Sequence, residues 1–186
     1  IGLTPNRADA ASHWGVARDI RAVTGLPIQL PSPALVIESN VHPISVEVKD
    51  AGCDRFCGIT IDGIQVAPSP AWLQERLSAI GLRPINNVVD ITNFICHGLG
   101  QPMHAYDWNE IKGGKLIVDT LAAGTVFKTL DGIERKLTGE ELMICDASGA
   151  IGMAGVMGGE DSGIKDSTTR VFLEVAHFKP ERIRKA

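Results

Sequence analysis

Four prolines crowded into one stretch constrain the fold of this chain more than any other feature. They are Pro27, Pro31, Pro33 and Pro43. Proline has no backbone N–H to donate, so prolines at this density stop helices and suit edge strands or a linker. We therefore predict a boundary between residues 40 and 50, with a short helix and strand segment before it (residues 1–43) and the main module after it (residues 44–186).

A helical pattern covers residues 6–25, ahead of the prolines. Asn6 or Asp9 can cap its first turn, and Gly25 can end its last turn. Apolar residues recur between these ends at helical spacing, at Val16, Ile20 and Val23. The spacing predicts one amphipathic helix.

Two more helices are predicted in the main module. Ser69-Pro70 is a good helix start, and Gly81 is the matching stop. The inner stripe of this helix is formed by Leu73, Leu77 and Ile80. The next helix follows Asp90 and ends near Gly98.

The rest of the main module reads as strands, and residues 44–49 and 56–61 alternate apolar and polar residues with period two. The predicted strands cover residues 44–49, 56–61, 115–120, 126–130, 133–137, 142–146 and 170–175. The Asp131-Gly132 pair between two of them accepts the positive φ angles of a tight hairpin turn. We therefore predict a mixed α+β fold, with mainly antiparallel sheets and packed helices.

Charge limits the partners that this chain can take. Its 18 basic and 22 acidic residues give a net charge of −4. A protein that wraps a long stretch of nucleic acid needs a basic face, so that class is disfavoured. A pocket that takes only the end of a strand remains compatible with this charge.

The cysteines do not form a recognisable metal site. They are Cys53, Cys57, Cys96 and Cys145. The spacing of the first two matches no common zinc knuckle, and His97 and His104 do not complete a ligand set. We expect buried, reduced thiols and no bound metal.

Two expectations concern the chain as a whole. No apolar run approaches the roughly 20 residues that a membrane span needs, so no membrane contact is expected. The chain begins at Ile1 without an initiator Met and without a signal-peptide pattern, which indicates a piece of a longer protein.

Three segments combine small, polar and aromatic residues in a way that a plain core does not. They are residues 83–93, 101–107 and 153–160. Glycines in the third segment let a backbone approach a ligand closely, although they equally suit a bulged strand and turn. The asparagines of the first also suit helix caps and turns. His104 in the second also suits a structural hydrogen bond.

In combination and order, these segments resemble the beta subunit of bacterial phenylalanyl-tRNA synthetase. The resemblance also rests on LTPNRAD at residues 3–9, GVARD at 15–19, TLDG at 129–132, LEVA at 173–176 and IRK at 183–185. It covers essentially the whole chain. It implies that residues 1–43 follow an inserted tRNA-binding oligonucleotide-fold module, and that residues 44–186 are most of the editing module, truncated at its C-terminal end.

The function that the resemblance implies is hydrolysis of tyrosine mischarged on tRNA(Phe). The implied partners are the tRNA 3′ end that carries tyrosine and the alpha subunit of a cytoplasmic two-alpha, two-beta complex. Aminoacylation, with its ATP and Mg²⁺, belongs to the parent synthetase, and no cofactor is implied for the editing step. The alternatives are a non-catalytic module that positions tRNA or braces the subunit, and a free-standing enzyme or sugar-binding protein of the same fold.

The resemblance also implies which residues select tyrosine. Glu174 matches the family's acceptor for the phenol, and Gly155 and Ala154 match the wall beside the substrate ring. Alternation along the strand places Glu174 on one face with Phe172 and Ala176, which makes its burial plausible.

The resemblance places three more residues at the polar end of the pocket, near the scissile ester and the terminal adenosine. They are Thr92, Asn93 and His104. His104 is expected to orient or deprotonate a water molecule, and the other two to donate or accept hydrogen bonds. No covalent nucleophile and no metal are implied.

Overall fold

Strands provide most of the regular structure of this chain. The computed structural model describes residues 1–29, 32, 43–184 and 186. Within these residues ten strands form three sheets, accompanied by four α-helices. Of the strand pairings described, only that between the first and fourth strands is parallel. The predicted class, mixed α+β with mainly antiparallel sheets, is confirmed.

The largest sheet has five strands. In spatial order they are β1 (Ser45–Val48), β4 (Lys115–Thr120), β7 (Leu142–Cys145), β8 (Ala150–Met153) and β9 (Met157–Gly158). Its buried apolar side chains form much of the core, with Leu116, Val118, Leu142 and Ile144 each at most 1% exposed. One face of this sheet is therefore packed against the core.

A second sheet carries the longest strands. Its order is β2 (Cys53–Asp62), β10 (Arg170–Phe178) and β3 (His104–Asp107), so β10 is central. A two-stranded hairpin, β5 (Val126–Lys128) with β6 (Glu134–Lys136), forms the third sheet. The Asp131-Gly132 pair lies in its loop, where Gly132 has a φ of 76°. The predicted hairpin is confirmed, with shorter strands than the sequence pattern indicated.

The first helix, α1 (His13–Thr24), is shorter than predicted, and its cap was assigned wrongly. The side chain of Ser12 caps it by accepting a hydrogen bond from the backbone N–H of Gly15 at 3.0 Å. Asn6 and Asp9 are unavailable for this role, because Asn6 accepts from Thr4 and Asp9 pairs with Arg7. Gly25 ends the helix with a φ of 70°, as predicted.

The helices of the main module agree better with their patterns. In α2 (Ala71–Ala79), Leu73 and Leu77 are each 1% exposed, whereas Ile80 lies past the helix end and is 40% exposed. The next helix, α3 (Asn87–Leu99), begins earlier than predicted. The side chain of Asn86 caps it by accepting hydrogen bonds from the first-turn backbone N–H groups, and Asp90 lies buried inside it.

Parts of the sequence predictions concern residues that the structure does not describe. Residues 30, 31, 33–42 and 185 lie outside the described part, and with them Pro31, Pro33 and the boundary region up to residue 42. The division at residue 43 therefore stays a prediction.

The cysteines are only partly as expected. All four are free thiols, and Cys53 and Cys145 are buried, but Cys57 is exposed and Cys96 is partly exposed. Cys57 lies on β2, where most side chains are exposed and only Cys53 is buried. No helix in the described part of the chain is long and apolar enough to cross a membrane.

Candidate active site

A cavity of about 470 Å³ lies between β3, β8, β10 and the short terminal helix α4 (Pro180–Ile183). This volume is within the range of roughly 300–1,000 Å³ typical of small-molecule sites. Four of the six site residues predicted from the sequence line it, namely His104, Ala154, Gly155 and Glu174. The fold therefore brings together residues that are up to 70 positions apart in the sequence.

The remaining two predicted site residues, Thr92 and Asn93, do not line this cavity. Both lie on α3, where the Thr92 hydroxyl donates a hydrogen bond to the carbonyl oxygen of Val89 at 2.7 Å. The segment that follows α3, residues 100–103, does line the cavity. The helix thus leads the chain to the site without contributing Thr92 or Asn93 to its wall.

Glu174 lies on the central strand of its sheet and is 7% exposed. The predicted alternation is confirmed, since Phe172 on the same face is 2% exposed. Its carboxylate accepts a hydrogen bond from the phenol of Tyr106, with 2.8 Å between the Tyr106 hydroxyl and Oε2 of Glu174. Burial raises the pKa of Glu174 to about 7, and the hydrogen bond from Tyr106 opposes that rise. A buried carboxyl with this pKa changes charge near neutral pH.

Tyr106 is the residue of this site to which the sequence assigned no role. It is 1% exposed and belongs to the main core cluster. Burial, together with the neighbouring Glu174, raises its pKa well above the ordinary value. A signal was present: His104 and Tyr106 are two residues apart, so a strand would place both on one face.

His104 packs against Tyr106 with its ring edge-on, and the ring centroids are 4.4 Å apart. Burial lowers the pKa of His104 to about 4, so its imidazole is neutral at neutral pH. Its Nε2 is buried and has no hydrogen-bond partner among the described residues. Buried polar atoms almost always have a partner, so this nitrogen is suited to a bound water or ligand.

Small residues give His104 the space it occupies. A Cβ atom on Gly158 would lie 2.8 Å from Cε1 of His104, closer than real Cβ atoms come. Gly158 belongs to β9 and also lines the cavity. The glycine-rich segment therefore forms both the turn between the paired strands β8 and β9 and a wall of the site. At the sequence level these were alternatives, and the β8–β9 pair has no bulge.

Gly155 and Ala154 form another wall. Ala154 is 2% exposed, and Gly155 has a φ of 68°, which side chains rarely adopt. A Cβ on Gly155 would lie 3.1 Å from Ile183 Cδ1 and 3.3 Å from Phe178 Cδ2, and both of those residues line the cavity. Any larger residue at 155 would crowd this side of the site.

The terminal helix that closes the cavity is held by polar contacts. The Arg182 guanidinium forms an ion pair with Asp50 at 2.9 Å, and the backbone N–H of Lys179 donates to the carbonyl oxygen of Gly52 at 2.8 Å. These contacts tie α4 to the turn before β2. Ile183 is thereby fixed against the cavity.

A second cavity, of about 620 Å³, lies beside the hairpin but has a different character. Four of its charged side chains form two ion pairs, Lys128 with Glu160 at 2.8 Å and Lys112 with Glu110 at 3.2 Å. None of the six site residues predicted from the sequence lines it. Across the described ranges, no group of three or more His, Cys, Asp or Glu side chains is placed to hold a metal ion.

Residues 52–186 match the family model described as "B3/4 domain". The chain belongs to the B3/4 domain family. The match covers nearly all of the predicted main module, and the four cavity-lining site residues lie within it. The residues that close the B3/4 cavity, including Arg182 and Ile183, are also inside the matched range.

The whole chain, including the part before the B3/4 domain, is similar to phenylalanine–tRNA ligase beta subunits. It is 52% identical over 192 residues to that of Bacteroides fragilis, covering 100% of the chain and 23% of the relative. It is 50% identical over 192 residues to that of Porphyromonas gingivalis, with the same coverage of 100% and 23%. The chain thus spans about a quarter of the length of these relatives, and the resemblance seen in the sequence is confirmed.

A solved structure shares the fold of this chain. It is an N-terminal fragment of the phenylalanyl-tRNA synthetase beta subunit from Pyrococcus horikoshii, with a TM-score of 0.56 and 19% sequence identity. The match covers 95% of this chain and 54% of that fragment. At this identity the likeness concerns the fold alone.

Proposed function

We propose that this chain is the editing module of a phenylalanyl-tRNA synthetase beta subunit, whose cavity hydrolyses tyrosine mischarged on tRNA(Phe). The observation that carries the proposal is the buried carboxyl group of Glu174 in the cavity wall, which no cation among the described residues pairs with. A buried charge without a cation is costly, so such a group is kept for a purpose. Similarity to ligase beta subunits over the full length supports the same assignment.

Selection is the role that Glu174 takes in this proposal. A hydrophobic pocket that binds phenylalanine rejects tyrosine, which only adds a hydroxyl, by a factor of about a hundred. A second site therefore has to hydrolyse the tyrosine that is attached by mistake. The phenol of tyrosine donates a hydrogen bond to Glu174. Phenylalanine offers no donor, so the carboxylate oxygen that Tyr106 does not hold stays desolvated and unpaired, at a cost of about 1–3 kcal/mol or more for a charged group.

Hydrolysis is the role of His104. A water oxygen attacks the ester carbonyl carbon, and the neutral imidazole orients this water or accepts its proton. The bond between the acyl carbon and the ribose oxygen then breaks, and the proton passes to that oxygen, so that tyrosine and free tRNA leave. The low pKa of His104, about 4, keeps the ring neutral, so that a ring nitrogen without a proton can accept a hydrogen bond from the attacking water.

Ala154 and Gly155 complete the substrate side of the proposal as the wall beside the tyrosine ring. Thr92 and Asn93 enter it by resemblance alone, as hydrogen-bonding groups near the terminal adenosine. Their place on α3, outside the cavity wall, requires the tRNA end to extend past residues 100–103 to meet them.

The proposal includes the partners of the parent enzyme. They are the 3′ end of tRNA(Phe) carrying tyrosine and the alpha subunit of a two-alpha, two-beta complex in the cytoplasm. ATP and Mg²⁺ serve aminoacylation elsewhere in that complex. The chain accounts for 23% of a relative such as the Bacteroides fragilis subunit, so most tRNA contacts would lie outside it.

The test is release of labelled tyrosine from mischarged tRNA(Phe) by the synthetase that contains this sequence. We expect release by the wild type and a loss of about a hundredfold or more in His104→Ala. His97→Ala is the matched control, because His97 lies exposed on α3 and does not line the cavity. Release by His104→Ala at the wild-type rate would remove His104 from the mechanism.

The same assay decides between hydrolysis and the non-catalytic alternative. The position of Thr92 and Asn93 outside the cavity wall is the observation that favours a module that only positions tRNA. If the wild-type synthetase releases no tyrosine while it binds tRNA(Phe), that alternative replaces editing.

A further inference from the structure

The hydrogen bond between Tyr106 and Glu174 divides the carboxylate into two unlike halves. Oε2 accepts from the Tyr106 hydroxyl at 2.8 Å, whereas Oε1 has no donor among the described residues. Both side chains line the cavity. One oxygen is thus held by a phenol of the protein, and the other is available to a phenol of the ligand.

The Tyr106 phenol cannot move aside to free the whole carboxylate. Its side chain is 1% exposed in the main core cluster, and its strand is paired with β10, where Tyr106 lies opposite Phe172. The backbone of Gly152 also lies close to the Tyr106 hydroxyl, since a Cβ atom at position 152 would be 3.2 Å from it. Tyr106 is therefore a fixed part of the cavity wall.

Among the described residues, the titratable groups that face Glu174 from β2, β3 and β7 supply no positive charge. His104 and Tyr106 face it from β3, Cys53 from β2, and Cys145 from β7 lies close enough to affect Tyr106. The thiols are neutral because burial raises the pKa of both, and His104 is neutral because burial lowers its pKa to about 4. The Tyr106 hydroxyl is the one hydrogen-bond donor to Glu174 within the described ranges.

We propose that Tyr106 is a positioning residue, which holds Glu174 by one carboxylate oxygen so that the other is presented to the phenol of the incoming tyrosyl ester. This inference rests on the proposed function for its substrate. Tyr106 touches neither the ester nor the attacking water, and it acts through Glu174. Its ring also supports His104 edge-on, but that contact does not need the hydroxyl.

Two measurements test this inference. The first uses the fact that Tyr106 is the only tyrosine in the sequence of this chain. With ¹³Cζ-labelled tyrosine, the chain gives a single phenol signal. We expect this signal to shift in one step as Glu174 ionises near its pKa of about 7, and the step to be absent in Glu174→Gln. A signal that is flat from about pH 5 to about pH 9, or a step that persists in Glu174→Gln, would overturn the proposal.

The second measurement uses Tyr106→Phe in the synthetase that contains this sequence. This variant keeps the ring against His104 and removes only the hydroxyl. We expect KM for the tyrosyl ester to rise about tenfold, while kcat and the rate for the phenylalanyl ester change by less than about twofold. The ¹³Cδ signal of Glu174 should titrate at higher pH than in the wild type, because the hydrogen bond from Tyr106, which lowers the pKa of Glu174, is gone.

A merely structural role for Tyr106 gives a different pattern. The two esters would then lose rate equally, with a lower unfolding temperature and an unmoved Glu174 titration, and the proposal would be overturned. If the wild-type synthetase releases no tyrosine, the proposed function fails and the substrate part of this inference fails with it. The phenol titration would still decide whether Tyr106 holds Glu174, because it does not depend on hydrolysis.

Discussion

Glu174 lies directly opposite His104 in the antiparallel pairing of β10 with β3. Directly opposed residues have Cβ atoms about 4.5–5.5 Å apart, on the same face of the sheet. Tyr106, two residues along β3, is the diagonal neighbour that reaches Glu174 with its hydroxyl at 2.8 Å. The group proposed to select the substrate and the group proposed to hydrolyse it are therefore fixed relative to each other by backbone pairing.

The first prediction concerns the pH dependence of selection. Because burial raises the pKa of Glu174 to about 7, the carboxyl is neutral below that pH and charged above it. A charged carboxylate opposes phenylalanine more strongly than a neutral one. We expect the ratio of kcat/KM for the tyrosyl ester to that for the phenylalanyl ester to increase as pH rises through about 7.

The measurement is this ratio over a series of pH values, after the uncatalysed hydrolysis of each ester at that pH has been subtracted. Glu174→Gln cannot ionise and should give a low, flat ratio. An equally steep ratio in that variant would exclude Glu174 as the group responsible.

The second prediction concerns stability. The pKa of Glu174 is raised from 4.5 to about 7 on folding, so its contribution to stability is fully present below pH 4.5 and is lost as pH rises to about 7. The shift corresponds to about 3 kcal/mol as an upper figure. We expect Glu174→Gln to gain stability relative to the wild type over that pH range.

Urea unfolding at about pH 5 and about pH 8 measures the difference. Comparison with the wild type at each pH cancels the contribution of His104, which both proteins share. Glu75→Gln, at an exposed position on α2 that does not line the cavity, is the control for the substitution itself. A difference between Glu174→Gln and wild type that stays constant with pH would contradict the prediction.

Local patterns predicted much of the fold because their causes are local. Leu73 and Leu77 are spaced for one helix face, and both are 1% exposed. Glycine accepts the positive φ of a hairpin turn whatever its surroundings, and Gly132 adopts such an angle here. Alternation alone placed Glu174 on a buried face with Phe172.

The features that the sequence did not predict depend on contacts between distant residues. Strands β3, β8 and β9 were not predicted, and they are defined by pairing with strands that lie elsewhere in the sheets. The Tyr106–Glu174 bond joins positions 68 residues apart, so its existence depends on the register of two strands. The wall of the cavity, which leaves out Thr92 and Asn93, is likewise set by how α3 packs.

The third prediction concerns the wall at Gly155. In Gly155→Ala the new Cβ would lie 3.1 Å from Ile183 Cδ1, at a φ of 68°. We expect a loss of about 1–2 kcal/mol in stability from the backbone conformation and a separate loss of tyrosyl-ester hydrolysis from crowding. Gly132→Ala has a similar φ of 76° but meets nothing within 4 Å, so it should lose stability alone. If both variants hydrolyse the tyrosyl ester equally well, Gly155 does not form the wall beside the substrate.

The last prediction concerns the space occupied by His104. In Gly158→Ala the new Cβ would lie 2.8 Å from Cε1 and 2.9 Å from Nε2 of the imidazole, so the ring has to move. Glu174 and Tyr106 keep their places, because the added methyl group faces His104 and Leu130 instead. We expect kcat for the tyrosyl ester to fall about a hundredfold, as it would on loss of a general base, with KM nearly unchanged.

Single-turnover hydrolysis over a range of enzyme concentrations separates these two quantities for Gly158→Ala. Gly98→Ala is the matched control, because a Cβ at that helical position meets nothing within 4 Å and should leave both quantities at their wild-type values. A rise in KM with kcat intact would mean that Gly158 shapes binding of the substrate, and that the position of His104 does not limit the chemical step.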